Sequence, residues 1–188
     1  MAVESTAGTR GTLVVYYSLS GNTARVAKDL ATRTHADIES LRDRDHGTGA
    51  LGYLKAVVDA VRGKPAKLGP LAFSPRSYTL ILIGTPVWAG RMTPAIRAYL
   101  KNFAADLKNV AFFVTSGGTD VGSIAPAMET VLGHSAVASA GFNATELADP
   151  KAYEAKLSAF AQKLNSAPGG QPFDSTSAVH AQQVGGVR

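Results

Sequence analysis

Cysteine is absent from this 188-residue chain, which excludes disulfides, zinc ribbons, iron–sulfur clusters and thiol catalysis. No apolar run approaches the ~18 residues that a bilayer span needs, so no membrane span is expected. Met1 to Gly11 is polar and lacks the apolar core of a signal peptide, and the expected compartment is therefore the cytoplasm. The four histidines, His35, His46, His134 and His180, stand far apart without the i, i+4 spacing of a metal pair, so no metal site is expected. Charged residues are scarce, at 18% against 45% hydrophobic, a balance that excludes disorder throughout. The length suits one domain.

Acidic residues are the minority, 14 against 19 basic, for a net charge of +5. The excess is N-terminal: up to Lys101 there are 14 basic and 7 acidic residues, and beyond it 5 and 7. Between Asp59 and Asp106 lie Arg62, Lys64, Lys67, Arg76, Arg91, Arg97 and Lys101 with no acid among them. Such a stretch is either a solvated face or a positive rim that draws an anion. No nucleic-acid motif accompanies it, so nucleic acid is not an expected partner.

Periodicity alternates along the chain. Leu13 to Tyr17, Thr79 to Ile83 and Val110 to Val114 are short continuous apolar runs, the pattern of strands buried on both faces. Ala36 to Leu41 and Ala136 to Phe142 are weaker strands. Helical stripes fill the gaps: Val26, Ala27, Leu30 and Ala31; Leu51, Leu54, Val57, Val58 and Val61; and a further helix from Ser123 to Leu132. Thr93-Pro94 and Asp149-Pro150 each pair an N-cap residue with proline at the first helical position, opening helices with Ile96, Leu100 and Phe103, and with Tyr153, Leu157, Phe160, Ala161 and Leu164, facing inward. Strands alternating with helices predict an α/β fold with a doubly wound parallel sheet. Gly63 to Tyr78 reads as a surface connection. Residues 1–11 are expected to form a flexible extension, 12–165 the domain, and 166–188 a mobile tail.

Ligands in such a sheet bind beyond the C-terminal strand ends. Ser18-Leu19-Ser20-Gly21-Asn22-Thr23 follows the first strand and opens the first helix. Gly21 permits a tight turn, Ser18, Ser20 and Thr23 offer hydroxyls, and the helix start adds unpaired N–H groups, which together suit a phosphate. It is neither a P-loop nor a dinucleotide fingerprint, because the lysine and the G-x-G-x-x-G are both missing. Gly84-Thr85-Pro86-Val87-Trp88-Ala89-Gly90-Arg91-Met92 reads as a second loop carrying the single tryptophan, which either caps a core edge or walls a planar ligand. Thr115-Ser116-Gly117-Gly118 begins a third loop, small and polar.

With these motifs the sequence resembles the flavodoxin-like FMN-binding family. Ser18 to Thr23 matches its [ST]-x-[ST]-G-x-T phosphate loop, and Gly84 to Gly90 resembles the G-T-P-V-W-A-G stretch of one subgroup. The resemblance covers about Thr12 to Leu164. It implies a five-stranded sheet in the order 2-1-3-4-5 with helices on both faces, and FMN as cofactor. Ser18, Ser20, Gly21, Asn22 and Thr23 would bind its phosphate. Pro86, Val87, Trp88, Ala89 and Gly90 would border the isoalloxazine ring, with a backbone carbonyl near Ala89–Gly90 facing flavin N5. Thr115, Ser116, Gly117 and Gly118 would line the other side. No catalytic side chain is implied.

Two departures from the family stand out. Electron-carrying members are usually acidic and stack a second aromatic from the third loop on the flavin; this chain is basic, and Thr115 to Ser123 holds no aromatic. Positive charge at the ring would stabilise the reduced flavin, and an uncovered face would admit a nicotinamide or quinone. The resemblance therefore implies an electron-transferring flavoprotein working with a redox protein or a small donor or acceptor. The alternatives are an NAD(P)H-dependent FMN or quinone reductase, including the flavodoxin-type protoporphyrinogen oxidases, and a binding module that has lost FMN.

Overall fold

The computed structural model describes residues 10–42, 66–118 and 121–170. Five parallel strands form its centre: β1 (Arg10–Tyr16), β2 (Asp37–Ser40), β3 (Tyr78–Trp88), β4 (Val110–Ser116) and β5 (Ala138–Asn143). Their order is β2-β1-β3-β4-β5, the expected 2-1-3-4-5, and a two-residue return strand, Arg91–Met92, pairs antiparallel with β3. The helices are α1 (Asn22–Thr34), α2 (Pro94–Phe103), α3 (Ile124–Leu132), α4 (Ala144–Ala148) and α5 (Pro150–Asn165).

Alternation along the strands divides the core into two layers. Leu13, Val15, Ile81, Ile83, Val110, Phe112 and Val114 pack with Ile96, Tyr99 and Leu100 of α2 and Ile124 and Met128 of α3. Val14, Tyr16, Leu80, Leu82, Ala111 and Phe113 face the other way, onto Val26 and Leu30 of α1 and Tyr153, Leu157 and Phe160 of α5. Both sheet faces are thus covered, which is why the strands read as unbroken apolar runs. Each fully buried Leu, Ile or Phe contributes about 1.5–3 kcal/mol of burial. Gly84 sits where β3 crosses Phe113: a Cβ there would lie 2.0 Å from the ring, so the close packing of β3 on β4 requires glycine.

Several local expectations need correcting. The second loop is mostly strand, because β3 runs on through Thr85-Pro86-Val87-Trp88 instead of ending at Ile83. The β-branched and aromatic residues here, together with pairing to both β4 and the return strand, extend it. Thr93 does precede α2, but its side chain makes no cap hydrogen bond and lies 3.3 Å from the Thr85 hydroxyl instead. Asp149 caps α5 as expected, accepting from the N–H groups of Lys151 and Ala152. Helix α4 was not expected; Asn143 and Glu146 close a capping box at its start.

The stripe at Leu51 to Val61 lies outside the described residues. Part of the connection before β3 is held down by Glu39, whose carboxylate accepts from Ala72 and Phe73 at 2.7 and 3.1 Å. Past α5 the chain makes turns through residue 170, where the Gly169 carbonyl accepts from the Thr79 hydroxyl at 3.0 Å. Among the described residues no helix is long and apolar enough to cross a membrane.

Candidate functional site

Register brings the candidate residues to one edge. Tyr16 of β1 is level with Gly84 of β3, and Pro86 of β3 is level with Thr115 of β4. The three nominated segments therefore leave the sheet side by side.

The first segment turns sharply. The Gly21 N–H donates to Ser18 Oγ at 3.2 Å, and Gly21 takes φ 94°, the left-handed region that only glycine enters freely. Helix α1 starts at the next residue with no side chain capping it, so its first N–H groups face the edge without a side-chain acceptor. Ser20, Gly21 and Asn22 are exposed and Ser18 is half-buried. Thr23 is buried, and its hydroxyl lies 2.7 Å from that of Thr115, also buried. This bond ties the first turn of α1 to the end of β4. Two hydroxyls carry two hydrogens and use one between them, which leaves one O–H to donate outward.

The second segment is a hairpin tip. Trp88 pairs with Arg91 and Val87 with Met92, so Ala89 and Gly90 form a two-residue turn. Their φ values are 47° and 71°, the doubly positive pattern of a type I′ turn. Alanine in that region costs about 1 kcal/mol. Thr85 secures the base, its hydroxyl accepting from the Thr93 N–H at 3.1 Å and donating to the Pro86 carbonyl at 3.0 Å. Trp88 is not the open flat wall that one reading expected. It is 6% exposed, with its ring edge-on to Tyr17 at 5.5 Å, so the exposed part of the segment is Ala89, Gly90 and Arg91.

The third segment, Ser116 to Gly118, is closed by a bond from the Gly118 N–H to Ser116 Oγ at 3.0 Å. Gly117 and Gly118 are exposed. A Cβ added at Gly21, Gly90 or Gly117 would meet nothing within 4 Å, so each of the three segments presents a glycine to open space. No carboxylate stands among Tyr17 to Thr23, Thr85 to Met92 or Thr115 to Gly118, so an anion there meets no like charge on these segments. Burial, and then the neighbouring Arg91, lower the pKa of the Arg97 guanidinium below its ordinary value. A shallow groove lined by Val137, Ser139, Gln162 and Pro168 lies near the opposite end of β5, away from this edge.

Sequence reasoning did not single out Tyr17, which braces Trp88, or the Thr85–Thr93 contact. Tyr17 closed an apolar run and carried no signal of its own. The box at α4 was legible as Asn143 followed three residues on by Glu146.

Hydroxyls, uncapped N–H groups and glycine-opened loops thus meet on one edge of a doubly wound α/β protein, a combination that would suit a phosphate-bearing planar ligand. Residues 11–141 match the flavodoxin family, and the chain belongs to it. FMN is that family's cofactor, and the residues present at this edge fit it.

Among solved structures, the chain is similar to a flavoprotein in complex with FMN from Lactobacillus acidophilus NCFM. The identity is 22%, over 74% of this chain and 97% of that one, with TM-score 0.62. A protein of Bacteroides eggerthii DSM 20697 assigned to the flavoproteins is 24% identical over 80% and 98%, with TM-score 0.65. The Trp repressor binding protein of Bacillus subtilis is 13% identical over 81% and 99%, with TM-score 0.52. No curated protein is significantly similar in sequence.

Proposed function

We propose that this protein is a cytoplasmic redox protein that passes electrons through FMN held at the C-terminal edge of its sheet. The observation that carries this reading is the convergence of three glycine-opened segments, two of them joined by the Thr23–Thr115 hydroxyl pair. Ser18, Ser20, Gly21, Asn22 and Thr23 hold the phosphate through hydroxyls and the N–H groups of α1. Pro86, Val87, Trp88, Ala89 and Gly90 border the ring, with the Ala89–Gly90 turn offering its peptide groups and buried Trp88 bracing the turn from behind. Thr115, Ser116, Gly117 and Gly118 line the other side. The bound flavin supplies one- and two-electron chemistry. Exposed Arg91, next to the turn, favours a reduced anionic ring over the oxidised neutral one.

A second reading, an NAD(P)H-dependent flavin or quinone reductase, is favoured by the small third segment, whose described residues include no aromatic to cover the ring. Anaerobic visible spectra of the FMN-loaded protein, before and after NADPH and then NADH, test both. Bleaching well above the rate of free FMN identifies a reductase. A bound-flavin spectrum that neither nucleotide bleaches supports a carrier reduced by a protein. A chain that ignores FMN would be a binding module on the same fold, and the redox reading falls.

A further inference from the structure

The cations beside the hairpin are arranged as a surface. Arg91 directly follows the Ala89–Gly90 turn and is exposed. Helix α2 opens three residues later. It carries Arg97 in its first turn and exposed Lys101 four residues on, so the two are neighbours about 6 Å apart along the axis. From residue 66 to residue 105 there is no aspartate or glutamate. Among the described residues, the ion pairs are Arg33–Glu154, Arg76–Asp106 and Lys156–Glu146, and none involves these three cations. Arg97 Nε is buried with no hydrogen-bond partner among the described residues. Like charges are thus held, with no compensating carboxylate among the described residues, beside the segment that borders the ring.

We propose that Arg91, Arg97 and Lys101 form a docking face for an acidic redox protein, which exchanges electrons with the flavin past the Ala89–Gly90 turn. This rests on the electron-transfer reading above. A protein fits better than a small anion because the cations spread along a strand end and a convex helix face, whereas a phosphate needs donors converging in a cradle, as at Ser18 to Thr23. Carboxylates on the partner relieve the repulsion among the arginines and steer encounter over a Debye length of about 10 Å at 0.1 M salt. Each reduced one-electron partner gives up one electron. Two such partners, with one proton from water, take one oxidised FMN to its anionic two-electron reduced form.

The test uses the full chain loaded with FMN and an acidic plant-type [2Fe–2S] ferredoxin, reduced, as the probe. Flavin reduction is followed anaerobically by stopped flow between about 0.02 and 0.3 M salt. The second-order rate is expected to fall at least tenfold across that range. At low salt it is expected to fall at least tenfold again in the double variant Arg91→Glu with Lys101→Glu, whose salt dependence flattens. Lys101→Arg retains the wild-type rate. FMN stoichiometry and light-driven reduction by a deazaflavin report independently that flavin is bound and reducible. If both persist while the ferredoxin rate ignores salt and charge reversal, or rises with salt, docking is overturned and the electron-transfer reading stands. Stoichiometric binding of inorganic pyrophosphate that the double variant abolishes would assign the face to a small anion and likewise overturn docking. A chain that fails to bind FMN overturns both readings.

Discussion

Replacing Thr23 by valine keeps the side chain's shape and removes one hydroxyl from a buried pair. The partner, Thr115, is 3% exposed, and its hydroxyl lies 2.7 Å from that of Thr23. The valine methyl fills the place of the lost hydroxyl, so Thr115 bears the cost of a hydrogen bond lost at a buried site, about 1–3 kcal/mol. Taking about 2 kcal/mol, and 2–4 °C per kcal/mol for a chain of this size, Tm drops by about 4–8 °C. Thr115→Val should cost a similar amount for the mirror reason. The double variant removes both polar groups and should cost clearly less than the two singles together, since an apolar pair of the same shape is nearly neutral. Urea unfolding of the FMN-free protein measures all three, with m unchanged. Strict additivity, or a loss below about 0.3 kcal/mol for Thr23→Val, would refute the pairing as the link between the first and third segments.

The same residue bears on the cofactor. Thr23→Val combined with Ser20→Ala removes two hydroxyls from the phosphate segment and should weaken FMN binding by at least about fivefold, the worth of a ~1 kcal/mol hydrogen bond; a change within threefold would sink the cradle assignment. Gly84→Ala places a Cβ 2.0 Å from the Phe113 ring and should destabilise the fold by about 1–3 kcal/mol, with partial recovery when Phe113→Leu is added. Ala89→Gly relieves a left-handed alanine and should raise stability by about 0.5 kcal/mol, whereas Gly90→Ala lowers it by about 1 kcal/mol; a loss for the first, or no loss for the second, in thermal melts would contradict the type I′ assignment. Burial disfavours the charged form of Glu146, but the Lys156 ammonium at 2.5 Å and the Asn143 N–H outweigh it and hold the carboxyl below its ordinary pKa. A depressed carboxyl contributes stability above its unfolded pKa of about 4.3 and loses it as pH falls through the folded value. Glu146→Gln should therefore cost about 1 kcal/mol near neutral pH, with the gap to the parent closing in acid; a gap independent of pH would refute the ion pair's contribution.

Strand positions were legible because each central strand is buried on both faces and so appears as an unbroken apolar run between polar turns. The tight turn into α1 was legible because glycine between serine and threonine at a strand-to-helix junction marks a left-handed position, which Gly21 takes. What could not be read was tertiary. Trp88 looks like a loop residue between Pro86 and Gly90, and only pairing with the return strand and packing on Tyr17 make it the buried end of a strand. Thr93 carries the N-cap signature before Pro94, yet its hydroxyl is placed against Thr85, a contact that exists only after the hairpin forms. The Thr23–Thr115 bond spans 92 residues and leaves no local trace.

The most direct test of the central claim is a fluorescence titration of the FMN-free chain into FMN. Saturable quenching at one FMN per chain, weakened by the Thr23→Val and Ser20→Ala pair, is the expected result. Flavin fluorescence unchanged at any protein concentration would contradict it, leaving a flavodoxin fold without a flavin's chemistry.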